Sequence, residues 1–355
     1  MSKTTDHSMS RRRFISGGGA VMITSLSAAG LAALPKSLAG RSGGPMGPGG
    51  GQEKREGLPP KHRVVLIKTS NRTEGVKRSL ALLGLNPAQG RSVLIKPNFN
   101  TSDETPGSTH VDTLRALLDW SRTHGAKSLA IGDRSGPEAT EQVLEKKGIQ
   151  ALAGSFDAKV INFDALGDDG YLKVTPPGSH WKDGFLIAKP VVETECVIST
   201  CCLKTHQFGG VFTLSLKNSV GIVPRQGRGY MRELHGSPDQ RKMIAEINYG
   251  YTPALIVLDG LEAFVDGGPM SGPRKTADVF LAGTNRVAVD AVGVAILRDL
   301  GSNDAIMKTP IFAQEQISRA VELGLGPSSA TDIVIETEDD ASRTYAEKIT
   351  KILYS

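Results

Sequence analysis

Apolar residues in this chain gather into short β-branched runs, separated by stretches with helical spacing. Val64–Ile67 is the first run, and Val76, Leu80 and Leu83 then recur along one face of a predicted helix over Thr73–Leu83. The alternation continues with a strand at Ser92–Ile95, a helix at Val111–Arg122 carrying Leu114, Leu117 and Leu118, and a strand at Leu129–Ile131. A helix over Glu138–Lys147 and a strand around Val160-Ile161 follow. This order predicts an α/β fold, a mostly parallel sheet with helices on both faces. Residues 170–190 break the rhythm. Their Pro-Pro and Asp-Gly signals predict a smaller antiparallel segment. Beyond it the pattern predicts strands at Val197–Thr200, Ala254–Leu258 and Val279–Ala282, and helices at Asp239–Asn248, Arg286–Leu300 and, last, Ile311–Leu323. No internal repeat and no transmembrane span is evident.

Polar residues stand just after several apolar runs: Lys96 and Asn98, Asp133 and Ser135, Lys204 and His206, and Asp259. In a parallel sheet these positions share the carboxyl edge, where open α/β proteins bind ligands. The segment from Cys201 to Gly221 is the most informative. It reads as a strand end that opens into a loop, with Lys204, His206, a Gly209-Gly210 pair, Lys217 and Asn218 in close succession. Two lysines, an imidazole and a carboxamide suit an acidic small molecule or a metal-bound cofactor. Each residue also has an ordinary reading. Asp133 and Asp259 could hold turns, and His110 could lie exposed at a helix start where Thr109 is the better cap. His235 could be a surface histidine, and Asp290 could pair with Arg286 one turn earlier.

Charge separates the amino end from the rest. The chain carries +5, but residues 1–63 hold ten Lys/Arg against three Asp/Glu, which leaves the remainder at −2. A nucleic-acid partner is therefore not expected, since the folded part lacks a basic patch. Ser10-Arg11-Arg12-Arg13-Phe14-Ile15 matches the twin-arginine export pattern, and no charge follows from Phe14 to Pro35. Residues 1–39 are thus expected to be a signal peptide read by the twin-arginine translocase, with Ser37-Leu38-Ala39 supplying the small residues for cleavage. That predicts a periplasmic or extracytoplasmic protein with no stable membrane anchor after cleavage. Residues 40–62, rich in Gly and Pro, read as a flexible linker, and residues 63–355 as the α/β domain. Cys196, Cys201 and Cys202 could bridge, ligate metal or lie buried beside a strand.

Ile95-Lys96-Pro97-Asn98, Thr109-His110, Gly132–Gly136, Leu203–His206, Thr213–Asn218, Asp259-Gly260, Gly267–Pro269 and Val287–Ala291 together resemble the bacterial and archaeal family called domain of unknown function 362. Many members of that family are described as iron–sulfur proteins, but this chain has no C-x-x-C-x-x-C run. A weaker resemblance is to nickel-pincer lactate racemase, through the order His110, His206, Gly209-Gly210, Lys217, His235. It implies His110 and His206 as proton-transfer groups, Lys217 as cofactor anchor and His235 as metal ligand. Asp133 joins the catalytic candidates, and Lys96, Asn98, Lys204, Asn218 and Asp259 the binding ones. The expected function is an exported protein that binds an acidic small molecule, through a nickel-pincer-like or iron-containing cofactor, with racemase-like or redox chemistry. The alternative is a non-catalytic periplasmic anion-binding or assembly protein.

Overall fold

A computed structural model describes residues 61–225 and 229–355. The expected signal peptide and the expected linker before residue 61 lie outside the described residues. Eleven strands are present among those described: β1 (His62–Lys68), β2 (Ser92–Lys96), β3 (Ser128–Asp133), β4 (Ala158–Asn162), β5 (Tyr171–Val174), β6 (Phe185–Ala188), β7 (Cys196–His206), β8 (Val211–Thr213), β9 (Leu255–Phe264), β10 (Arg274–Gly283) and β11 (Ile333–Glu336). Nine of them form one sheet in the order β11-β1-β10-β9-β7-β2-β3-β4, with β8 added antiparallel to β7. Strands β9, β7, β2, β3 and β4 are mutually parallel, so their carboxyl ends share one edge. The strand β10 alone in that row runs antiparallel to both neighbours. The separate hairpin of β5 and β6 is the small antiparallel segment that the turn signals predict.

Period-two alternation sorts the core into two layers. Val64, Leu66, Ile256, Leu258, Val279 and Leu281 point to one face, while Val65, Ile67, Leu255, Val257, Phe280 and Ala282 point to the other. The first face is covered by the helices Arg286–Asp299 and Asp340–Leu353, the second by Arg72–Leu83 and Val111–Thr123. The helix Arg72–Leu83 begins at Asn71, whose side chain accepts from the Glu74 N–H, and ends at Gly84 with φ +68°. Gly75 lets this helix sit close on the sheet: a Cβ there would lie 2.2 Å from the Phe280 ring.

Several sequence expectations change. The β-branched run Val197–Thr200 extends to the expected strand end at Lys204-Thr205-His206, and every residue of it is buried. His110, not Thr109, caps the helix Val111–Thr123, with its Nδ1 accepting from the Asp112 N–H. Thr109 Oγ1 accepts from the Asn98 N–H instead. The expected last helix shrinks to Glu315–Glu322, because Pro310 and Gln314 hold extended backbone before it. A strand and an amphipathic helix, Asp340–Leu353, complete the chain. The three cysteines are free and buried.

Candidate functional site

Three strand ends and one short helix build the site. Lys96 closes β2, Asp133 closes β3, and β7 turns at Gln207–Gly210 into β8, after which the helix Ser215–Asn218 brings Lys217 and Asn218 back over the sheet edge. Four residues make a poor helix unless something fixes their start. Asp290 does so from the helix Arg286–Asp299. Its carboxylate accepts from the Ser215 N–H at 2.8 Å, the Ser215 hydroxyl at 2.5 Å and the Leu216 N–H at 2.9 Å. Burial pushes the Asp290 carboxyl up to about 6 against those donors. Asp290 therefore serves Ser215 rather than Arg286, whose guanidinium donates to the carbonyls of Asn248 and Tyr251.

The floor is a buried network. Lys96 Nζ donates to Asp133 Oδ1 at 2.7 Å, to the Pro97 carbonyl at 2.9 Å and to Asn218 Oδ1 at 3.1 Å. Asn218 Nδ2 donates onward to Ser199 Oγ and the Thr200 carbonyl, and the Phe99 N–H donates to Asp133 Oδ2. Neither Lys96 nor Asp133 reaches solvent, so burial pushes the Asp133 carboxyl up while Lys96 opposes the shift. Gly221 lies across this pair: a Cβ there would sit 2.4 Å from Asp133 Oδ1 and 2.8 Å from Lys96 Nζ. Lys204 is also fully buried, and its ammonium donates to the carbonyls of Gly107 at 2.5 Å and Pro269 at 3.3 Å. Burial lowers its pKa to about 8.

Lys217 differs from both. It is 8% exposed, and among the described residues its amine has no hydrogen-bond acceptor and no carboxylate partner. Burial first, then Lys204 and Arg134, bring its pKa down to about 7. It stands between two spaces. A chamber of about 40 Å³ is lined by Lys96, Asn98, Asp133, Thr213, Lys217 and Asn218, among others. A wider cleft of about 670 Å³ opens beyond it, with Phe208, Met231, Met270, Arg134, Arg225 and His206 on its walls. Three buried polar atoms of the chamber lining, Asn98 Oδ1, Asn100 Nδ2 and Thr213 Oγ1, have no partner. Buried polar groups ordinarily find one. The chamber can seat a small polar group, since a water needs only roughly 10–15 Å³ by this measure.

His206 is buried at the rim of the same space. Its Nδ1 accepts from the Gly210 N–H at 3.3 Å, which leaves the ring proton on Nε2, and burial with Lys217 and Lys204 nearby holds the imidazole neutral. Gly210 lacks the atom that would collide here: a Cβ would lie 2.8 Å from both His206 Nδ1 and Lys217 Cε. The next residue, Val211, takes φ +67°, a left-handed backbone that a β-branched residue adopts only at a cost of roughly 1–3 kcal/mol.

Arg134 went unassigned in the sequence reading, although it follows Asp133 directly. The residue is 4% exposed, and its guanidinium donates to the carbonyls of Ser135, Val220 and Val223. It makes no ion pair among the described residues, and burial lowers its pKa only to about 10, so it stays cationic. Among the described residues no Asp or Glu lines the wide cleft. Asn100, Thr213 and Gly221 were likewise unassigned, and only proximity in the fold marks them.

Lys96, Asn98, Asp133, Lys217, Asn218, His206 and His235 thus border the chamber or the cleft. Lys204 lies behind them. His110 and Asp259 go elsewhere. His110 lines a separate 420 Å³ pocket with Arg72, and Asp259 accepts from Arg72 Nε at 2.9 Å and Thr113 Oγ1 at 2.7 Å. His235 Nδ1 accepts from Gln240 Nε2. Among the described residues no group of three or more His, Cys, Asp or Glu side chains is placed to hold a metal ion.

Comparison with known proteins agrees with the motif order. Residues 93–295 match the family described as "Domain of unknown function (DUF362)". A thylakoid-associated protein of Synechocystis sp. is 26% identical over 246 residues, spanning 68% of this chain and 70% of its own length. Among solved structures, the lactate racemase apoprotein from Thermoanaerobacterium thermosaccharolyticum aligns with a TM-score of 0.43 and 15% identity, over 83% of this chain and 88% of that one.

Proposed function

The chain belongs to the DUF362 family, and on that premise we propose that its cleft binds a small organic acid, with the carboxylate beside Lys217 and an apolar body against the outer wall. The observation that carries this reading is the Lys217 amine, on a residue only 8% exposed, which has no acceptor or counter-ion among the described residues. An ammonium in that position costs free energy unless an anion accompanies it. The Arg134 cation adds to the attraction, and among the described residues no acidic side chain of the cleft lining opposes it. Val220, Met231, Met270 and Phe208 supply the apolar wall.

A metal held by protein side chains alone does not fit. His206 and His235 bring two imidazoles to the cleft, and no third His, Cys, Asp or Glu joins them among the described residues. The twin-arginine pattern at Ser10–Ile15 supports export to the periplasm by the twin-arginine translocase, which we propose as the protein's route.

Titration calorimetry with phenyllactate and its uncharged amide tests the anion reading. Near neutral pH and below, the acid should bind at least roughly tenfold more tightly, since a charge-assisted contact contributes about 1.5–3 kcal/mol. Its affinity should weaken as pH rises through the Lys217 pKa of about 7. Equal affinity for acid and amide would refute the reading.

A further inference from the structure

We propose that Lys217 forms a reversible imine with an α-oxo acid seated in the cleft, a proposal that rests on the anion-binding reading and extends it from binding to covalent chemistry. Three buried lysines cluster at this sheet edge, and two are occupied. Lys96 is tied to Asp133, Pro97 and Asn218, and Lys204 to Gly107 and Pro269. Only Lys217 of the three has its nitrogen lone pair or proton uncommitted, and it borders both the chamber and the cleft. Burial favours the free amine near neutral pH, which is the nucleophilic form.

The surroundings supply what the addition needs. The missing Cβ of Gly210 leaves room against the Lys217 methylene chain. The chamber lining carries an unpartnered acceptor, Asn98 Oδ1, and two unpartnered groups able to donate, Asn100 Nδ2 and Thr213 Oγ1. A tetrahedral adduct presents one hydroxyl, which can both donate and accept. Arg134, which makes no ion pair among the described residues, gives the substrate carboxylate a positive environment while the amine is engaged with the carbonyl, whereas Arg225 is paired with Asp164. The separate pocket near His110 offers no such amine. There Arg72, Lys146 and Arg274 are each paired with a carboxylate, and Lys147 donates to the Asp103 carbonyl.

In the addition, the Nζ lone pair bonds to the carbonyl carbon, the π electrons move to oxygen, and that oxygen takes a proton from the nitrogen. The carbinolamine then loses its hydroxyl, together with the second nitrogen proton, as water. Amine plus oxo acid gives imine plus water, with no change of oxidation state.

The experiment treats the full chain with pyruvate and sodium cyanoborohydride, which reduces an imine to a stable secondary amine. Intact mass and peptide mapping then locate the adduct, and phenyllactate binding is measured on the same preparation. The expected result is one adduct per chain, a mass gain of one pyruvic acid less one oxygen atom, on Lys217. Trapping should accelerate as pH rises through about 7, where phenyllactate affinity falls. The adduct should be absent from Lys217→Arg and Lys217→Ala, with folding checked by circular dichroism. If those variants fail to fold, the mapped position in the unmodified sequence decides. Phenyllactate binding without an adduct on Lys217 overturns the imine and leaves the anion site standing. Labelling spread over surface lysines, or retained in Lys217→Ala, overturns it as well. Absence of both binding and adduct overturns both readings.

Discussion

Replacing Lys217 by Met should stabilise the protein, and the gain should depend on pH in a defined direction. Burial lowers the Lys217 pKa from 10.5 to about 7, so the folded chain releases this proton well before the unfolded chain does. Between those values the unfolded state binds more protons, and stability rises with pH. Below about pH 7 both states are protonated and the folded one bears the full cost of an unaccompanied ammonium. At about 1.36 kcal/mol per pKa unit the ceiling on that cost is roughly 5 kcal/mol. Water entering the chamber lowers it, and we expect Lys217→Met to gain about 2–4 kcal/mol near pH 6. Methionine fills the side-chain volume out to Cε, the atom nearest Gly210, so that packing is preserved. Urea unfolding of both proteins at several pH values reads the difference directly, with m-values checked for constancy. The two curves should converge as pH rises toward 10, and phenyllactate at low pH should narrow the gap by stabilising only the lysine form. A Met variant that is less stable near pH 6, or that keeps the pH slope of the parent, would show that the ammonium has a partner and that the site argument fails.

Removing one member of the floor pair should be costly. Asp133→Ala leaves Lys96 buried without its carboxylate and should lose about 3–5 kcal/mol in chemical denaturation, while Lys96→Met with Asp133→Leu should recover most of it. Gly221→Ala should cost about 1–3 kcal/mol and reduce phenyllactate affinity, because the added methyl displaces Asp133 and Lys96; unchanged stability would contradict the packing described. Replacing Arg11, Arg12 and Arg13 together with Lys should hold the precursor in the cytoplasm, and normal periplasmic accumulation in a cell-fractionation assay would rule out the twin-arginine route.

The sequence made the parallel sheet legible because β-branched runs and helical spacing alternate without long interruptions. It also located the Lys96, Asp133 and Lys217 region, since polar residues after buried strands converge wherever the strands are parallel. What it hid were the consequences of side-chain direction. β9 runs on past Asp259 to Phe264, so Asp259 meets Arg72 away from the shared strand ends, and His110 at its helix start lines a different pocket. The strand end at Lys204-Thr205-His206 was legible, although lysine and histidine are rare inside sheets. Here main-chain carbonyls solvate the Lys204 ammonium, and the strand continues. Asp290 had a plausible partner one turn away, and only the fold shows that it serves Ser215 across the core. The C-terminal helix was missed even though Ala346, Ile349 and Leu353 recur at helical spacing.

The position of β1 carries a consequence for how the chain comes into being. This strand lies inside the sheet, yet both of its neighbours come from the far end of the sequence, with Val64 opposite Gly283 on β10 and His62 opposite Ile333 on β11. During synthesis its apolar Val64–Ile67 run emerges long before anything exists for it to pair with. Contacts of such sequence separation form slowly, because a large loop must close before they contribute. Any chain that lacks β11 leaves β1 as an open edge, a template for pairing with other molecules. The sheet therefore closes only on chains that carry both ends, so completion of the fold waits for completion of synthesis.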